Sequence, residues 1–296
     1  MRRFLLATTA IAALAAHVQM AQAADATGYA DYPSAFISFE GGYYFNASQE
    51  NVDFDDDDSE LGNLDSLRPG GNGWQGRFEL GQRLNETWDF KIGLSAIALG
   101  SDSTDDNDAR SDASQDMDLQ ILDLEAGYHL GGMDSVEARL FAGVRGLHAR
   151  SQTSWHADEG DKLGEFDDEV YALGPRVGVD LAVPMDTHDI ALVGSVSGSL
   201  LFGTVDSEAS YRGDPIFNDY DTDTTDTQTL WNVEGMAGVA FGIGERADLT
   251  LGYRVAQFGD LAVDRSDVDK AGDFSANGES DLLLHGPFAR LTVEIP

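Results

Sequence analysis

The sequence predicts an all-β fold, a transmembrane antiparallel up-and-down β-barrel of about ten strands, with eight to twelve as the range. Three observations predict it. Apolar residues recur with period two over segments of ten or more residues. The connections between those segments alternate between short and long. The first residues of the chain have the form of an export signal. The chain has 296 residues, no cysteine, and a formal net charge of −35 from 18 Lys+Arg against 53 Asp+Glu. That balance argues against nucleic acid as a partner, since phosphates need Lys and Arg to neutralise them. Absence of Cys removes disulfides, zinc–thiolate sites and thiol catalysis.

Arg2 and Arg3 form a positive start, Phe4 to Ala16 is an apolar run, and Ala21-Gln22-Ala23 supplies a small-residue cleavage site before Ala24. This is the three-part pattern of a secretory signal peptide. Residues 1–23 are therefore expected to be the signal, 24–34 a short periplasmic segment and 35–296 the barrel. The apolar run is shorter than the about 20 residues that a spanning helix needs. No later stretch is longer and unbroken; Ile190 to Gly203 is interrupted by Gly194, Ser195, Ser197, Gly198 and Ser199. An exported chain of this kind that enters a membrane must do so as a closed barrel, because only helices and barrels satisfy backbone polar groups in lipid.

The alternation is plainest in three places. Trp88, Phe90, Ile92 and Leu94 alternate with Asp89, Lys91, Gly93 and Ser95. Tyr171, Leu173, Pro175, Val177 and Val179 alternate with Ala172, Gly174, Arg176 and Gly178. Trp231, Val233 and Val239 share a face opposite Asn232 and Glu234. Soluble sandwiches also alternate, but their strands average about 5–6 residues, whereas a tilted membrane strand needs about 9–11. The expected strands are 35–45, 74–83, 88–99, 117–130, 136–150, 169–183, 190–203, 229–243, 248–258 and 281–295. Short turns are expected at 84–87, 131–135, 184–189 and 244–247, and long acidic loops at 46–73, 100–116, 151–168, 204–228 and 259–280. Short periplasmic turns and long extracellular loops are the outer-membrane pattern. In 117–130 the alternation slips where Ile121 adjoins Leu122, and a bulge is expected there. Tyr43, Phe45, Trp74, Trp88, Tyr128, Tyr171, Phe202, Trp231, Phe241, Tyr253 and Phe258 fall near strand ends, where two interfacial aromatic girdles would lie.

The charged residues within the strands orient the barrel. Arg77, Lys91, Arg139, Arg145, Arg176, Arg254 and Arg290 fall opposite the apolar face, with Glu79, Asp89, Glu125, Glu137, Asp180, Glu234 and Glu294. An Arg or Lys facing lipid costs about 2–4 kcal/mol at the midplane. The apolar face is therefore expected to point to lipid and these residues to line the interior as candidate pore-lining groups.

Several runs resemble the Legionella-type pore-forming major outer membrane proteins. They are Leu122-Asp123-Leu124-Glu125-Ala126-Gly127-Tyr128, Leu140-Phe141-Ala142-Gly143-Val144-Arg145, Gly174-Pro175-Arg176-Val177-Gly178, the run from Gly194 to Gly203, Gly252-Tyr253-Arg254 and His285-Gly286-Pro287-Phe288. The resemblance covers the chain from about Phe36 to the end and implies an outer-membrane location and porin-like activity; it supplies no catalytic residues. The chain departs from the family in lacking cysteine and in ending Val293-Glu294-Ile295-Pro296 without a terminal aromatic residue.

The remaining motifs carry little chemistry, and no cofactor is expected. Asp53, Asp55, Asp57 and Glu60, and Asp219, Asp221, Asp223 and Asp226, begin like calcium loops, but neither run has both the Gly at the sixth position and the Glu at the twelfth. They are read as solvated acidic loops that could gather divalent cations and bridge to lipopolysaccharide beside the outer-membrane lipid. Val196 stands where a nucleophile elbow needs Ser, and Gly238, Gly242 and Gly244 lack the Lys and hydroxyl of a phosphate loop. His148 and His156, near Ser151 and Asp158, are the candidates for a hydrolase at the outer rim. The leading expectation is therefore a non-enzymatic pore for passive diffusion of ions or small polar solutes. A non-conducting structural or surface-interaction barrel is the alternative, because ten strands enclose little more than the eight whose side chains fill the interior. Oligomeric state and solute are not legible.

Overall fold

The computed structural model describes residues 35–47, 53–55, 71–104, 112–130, 136–156, 162–185, 190–211, 220–243, 246–261, 275–277 and 281–295. The expected signal peptide and the segment 24–34 lie outside them, as do Asp57, Glu60, Asp158 and Asp219.

The strands are β1 (Ala35–Asn46), β2 (Asp53–Asp55), β3 (Asn72–Arg83), β4 (Trp88–Thr104), β5 (Asp112–Leu130), β6 (Glu137–His156), β7 (Lys162–Pro184), β8 (Ile190–Tyr211), β9 (Tyr220–Gly242), β10 (Ala247–Gly259), β11 (Ser275–Asn277) and β12 (Leu282–Ile295). Ten of them close an antiparallel barrel in the order β1-β12-β10-β9-β8-β7-β6-β5-β4-β3, and β2 pairs with β11 in a separate two-stranded sheet. Closure joins the first strand to the last: Ala35 lies opposite Ile295 on β12 and opposite Gln82 on β3. Ala35 and Ile295 thus both lie at the end with the short turns.

The outward face is apolar and exposed. Leu122, Leu124, Leu140, Val144, Leu173, Val177, Leu181, Val196, Leu251 and Val255 all stand on it with more than a third of their surface open. A soluble protein cannot present such a belt to water, whereas lipid requires it. Trp88 packs edge-on against Tyr128 with ring centroids 5.1 Å apart near the short-turn end. Tyr43, Trp74 and Phe45 cluster at 5.0 and 5.2 Å near the opposite end. Phe258 does not join a girdle; it points inward and is buried.

The sequence expectation and the structure part company at the loop end. β4 to β9 run past the expected strand limits, so that Asp221, Asp223 and Asp226 belong to β9 and not to a loop. β5 to β9 have 19, 20, 23, 22 and 23 residues, against 12 to 14 in β1, β3, β10 and β12. One side of the barrel is therefore raised well above the about 9–11 residues that cross lipid. Polar residues such as Asp116, Asp118, Gln152 and Glu208 carry the outward face there, which is why hydropathy alternation ends before the strands do. The bulge expected at Ile121-Leu122 is absent: β5 pairs without a break with β4 and β6 through these residues. Ile121 points inward and is buried, and Leu122 points to lipid. The slip in alternation marks a change in what fills the interior, not a change in register. The irregularity that does occur lies between Trp155 and His156.

Candidate functional site: the barrel interior

The inward face has two layers. Toward the loop end it is an apolar plug, with Ile97, Leu99, Met117, Leu119, Ile121, Leu147, Leu201, Leu230, Phe258 and Leu284 all at most 6% exposed. Below it lies a layer of ionised side chains, where every candidate pore-lining residue except Glu137 and Glu294 is found. Glu137 points inward at the short-turn end, where it is exposed and lines the cavity described below.

The ionic layer is one connected network. Arg145, fully buried, grips Asp123 through Nε and Nη2 at 2.7 and 2.8 Å and reaches Glu234 at 2.7 and 3.2 Å. Arg145 Nη1 also donates to Asn232 Oδ1. Arg176 spans Asp123 at 3.6 Å, Glu234 at 3.5 Å and Glu125. Lys91 lies 3.2 Å from Glu125 and 3.6 Å from Glu79, and Arg77 donates to Glu79 at 2.9 Å. Arg254 and Arg290 meet on Glu40 at 2.9 and 2.6 Å. Arg139 holds Asp89 in a two-point contact, 2.7 Å at each oxygen, and donates to Asp180 at 2.8 Å. Asp180 also accepts from Ser195 at 2.6 Å, and Asp89 lies 2.6 Å from His129.

Among the described residues the network joins seven carboxylates (Glu40, Glu79, Asp89, Asp123, Glu125, Asp180, Glu234) to seven cations (Arg77, Lys91, Arg139, Arg145, Arg176, Arg254, Arg290). Its formal charge is zero in a chain of −35. Burying so many charges is tolerable only because each is paired and hydrogen-bonded. Two phenyl rings pack against its cations. Phe141 lies under Arg176, Arg139 and Lys91 at 5.0, 5.2 and 5.8 Å, and Phe288 under Arg254 and Arg290 at 5.4 and 5.6 Å. Cations stack favourably on such ring faces. The inward glycines make room for them: a Cβ on Gly178 would fall 2.4 Å from the Phe141 ring, and one on Gly252 2.7 Å from that of Phe288.

Glu40, Asp123 and Asn232 belong to the network but not to the expected pore-lining set. Asp123 is legible in the sequence, since it shares the inward face of β5 with Glu125. The plug is not among the sequence expectations, although Ile97, on the polar side of its strand, and the Ile121-Leu122 doublet are its signals.

A cavity of about 350 Å³ remains below the plug and reaches toward the short-turn end. Its lining includes charged groups such as Lys91, Arg139 and Asp180 and the small hydroxyl residues Ser195, Ser197 and Thr250.

His148 and Ser151, the hydrolase candidates whose side chains are described, are not brought together. His148 faces outward, where its ring stacks on Tyr171 at 4.5 Å and its Nε2 lies 2.8 Å from Glu169. Ser151 is on the inward side and accepts from Gln115 at 3.1 Å. The Tyr171 hydroxyl donates to Glu169 at 2.6 Å. That donation, with the contact from His148, holds the Glu169 carboxyl below its ordinary range and pushes the Tyr171 phenol up. Among the described residues no cluster of three or more metal-ligating side chains forms.

A closed barrel with a lipid-facing apolar belt and a polar, charge-paired interior is the class of outer-membrane β-barrels. The family model described as Legionella pneumophila major outer membrane protein precursor matches residues 37–295, and the chain belongs to that family. No curated protein matches it. Among solved structures it is similar to the outer membrane protease OmpT from Escherichia coli, at 12% identity and TM-score 0.49, over 90% of this chain and 99% of that one. It is also similar to a major outer membrane protein from Thermus thermophilus, at 18% identity and TM-score 0.38, over 86% and 99%. A third is Neisserial surface protein A, at 12% and 0.34, over 88% and 97%.

Proposed function

We propose that this barrel is a non-conducting outer-membrane protein that presents its raised acidic wall at the cell surface. The observation that carries this reading is the obstructed interior: a neutral network of seven acids and seven bases beneath an apolar plug. An ion crossing it would have to displace paired groups and then pass a layer that is mainly apolar. Outward-facing Asp116, Asp118 and Glu208 on the wall support contact with lipopolysaccharide through divalent cations. The test is single-channel recording of the refolded mature protein in a planar bilayer under a salt gradient. We expect a silent bilayer from a heat-modifiable, folded barrel. Discrete conductance steps would overturn the closed reading.

Passive diffusion of ions or small polar solutes is the second reading. The cavity of about 350 Å³ favours it, because it already opens the lower half of the interior to solute-sized volume. On that reading Arg77, Glu79, Asp89, Lys91, Glu125, Glu137, Arg139, Arg145, Arg176, Asp180, Glu234, Arg254 and Arg290 line the path and set selectivity.

A further inference from the structure

The ionic network is neutral as a whole, but the part of it that lines the cavity is not. Six of its seven cations, all but Arg145, line the cavity, against four of its seven acids. The other three acids, Glu40, Asp123 and Glu125, hold their cations from within the wall, where each is at most 5% exposed. Outside the network, Arg83 and Glu137 add one charge of each sign to the lining. With His129 counted as neutral, the lining carries an excess of two cations.

Two of these cations have a donor to spare. Arg176 and Arg254 are 4% and 5% exposed. Their terminal nitrogens meet acids: those of Arg176 reach Asp123, Glu125 and Glu234, and those of Arg254 reach Glu40 and Glu234. Their Nε atoms have no acceptor among the described residues. The two guanidiniums are neighbours, since Arg176 Nη2 lies 3.5 Å and Arg254 Nη1 3.9 Å from the same oxygen of Glu234. A buried charged donor left without an acceptor is costly, and each such group calls for an explanation. Ser197, also buried, accepts from Arg176 Nη2 at 3.0 Å. A hydroxyl that accepts in this way keeps its own proton for another partner. The volume of about 350 Å³ falls in the range of small-molecule sites, about 300–1,000 Å³.

We propose that the cavity is a binding pocket for a small dianionic solute whose charges sit on carboxylate or phosphate oxygens. The Nε–H groups of Arg176 and Arg254 and the Ser197 hydroxyl supply donors, and the excess of cations sets the sign. The planar donors of guanidinium suit such oxygens. The solute enters from the short-turn end, where the exposed Glu137 belongs to the lining, and the apolar plug stands at the other end. This goes beyond surface presentation and is separable from it, since binding is read equally in a silent barrel and in a conducting one.

The test is calorimetry on the refolded mature protein in lipid nanodiscs at low ionic strength, with succinate, inorganic phosphate and the neutral succinamide as titrants. We expect saturable heat at a single site from succinate or phosphate and none from succinamide. Succinate alone would assign carboxylate oxygens to the guest, and phosphate alone the phosphate group. Arg176→Lys with Arg254→Lys keeps every charge but removes both Nε donors, and should weaken binding by about tenfold or more. Val193→Trp leaves the network untouched and fills the cavity that Val193 lines; it should abolish binding in a barrel that stays heat-modifiable. No saturable heat from either anion would overturn the proposal. So would undiminished binding by either variant, which would put the anion elsewhere on the protein.

Discussion

Replacing Arg145 by Met tests the paired interior most directly. The guanidinium is fully buried and satisfies two carboxylates at once, Asp123 at 2.7 and 2.8 Å and Glu234 at 2.7 and 3.2 Å. After the change the nearest cations to Asp123 are Arg77 at 3.5 Å and Arg176 at 3.6 Å, while Glu234 keeps Arg176 at 3.5 Å and Arg254 at 3.9 Å. None makes a two-point contact with either acid. Removing one partner of a buried pair costs about 3–5 kcal/mol, because a desolvated charge is left behind. That is roughly a hundred- to several-thousand-fold in the unfolding equilibrium. The assay is urea unfolding of the barrel in lipid vesicles, followed by tryptophan emission and by gel mobility without boiling. A triple variant, Arg145→Met with Asp123→Asn and Glu234→Gln, removes the charges together and should recover most of the loss. If Arg145→Met alone costs less than about 1 kcal/mol, the value of a solvated pair, then water reaches the network and the closed interior is wrong.

Four further outcomes are expected. Leu119→Ala, at a fully buried plug position, should cost about 2–5 kcal/mol in the same urea titration. Gly178→Ala should cost about 1–3 kcal/mol by overpacking the Phe141 ring, and a double-mutant cycle with Phe141→Leu should show coupling between the two. Glu169 has a lowered pKa from the Tyr171 hydroxyl and His148, so its contribution is present above the ordinary glutamate value and lost as pH falls through the folded one; carboxyl NMR should show Glu169 titrating below a free glutamate, and Tyr171→Phe should move it back up. Calcium titration by calorimetry should give heat that Asp116→Asn with Asp118→Asn and Glu208→Gln reduces, and equal heats would remove the cation bridge from the proposed function.

The sequence carries the membrane part of this fold and is silent above it. Period-two alternation needs lipid on one side and a polar interior on the other, and that contrast exists only where the strands cross the bilayer. At Tyr171, Phe202 and Trp231 the lipid ends, the outward face turns polar, and a strand reads as a loop although Lys162–Pro184 and Tyr220–Gly242 run on without a break. The inward charges are legible for the converse reason: Arg176 between Pro175 and Val177 has no tolerable place but the interior. Their pairing is not, because Arg145 and Glu234 are 89 positions apart and meet only when the barrel closes. Glu40 shows the same limit; its partners Arg254 and Arg290 come from the last two strands of the barrel.

The plug and the raised wall are two consequences of one feature. A ten-stranded barrel encloses more room than the eight strands whose side chains just fill the interior. In the lower layer that room is taken by Arg and Phe, with glycine opposite the rings at Gly178 and Gly252. In the upper layer it is taken mainly by Leu, Ile and Met, with Asp168 and Gln115 as buried polar groups beside them. The apolar side chains would be exposed at a low rim, as Leu201 and Val205 on β8 would be without their neighbours. Extending β5 to β9 lets the inward apolar face continue upward until Leu230, Phe258, Leu261 and Leu284 close over it. The height of the wall therefore serves to bury the plug, and its outward face, already above the lipid, is free to be acidic. On the short side β10 stops at Gly259, opposite Trp231, while β9 continues to Tyr220 beside β8. A truncation replacing residues 207–225 by a short turn separates the two roles. It should leave Leu201 and Leu230 packed and the barrel heat-modifiable, with the acids of the upper wall removed. Loss of the folded barrel would instead assign the upper wall to stability.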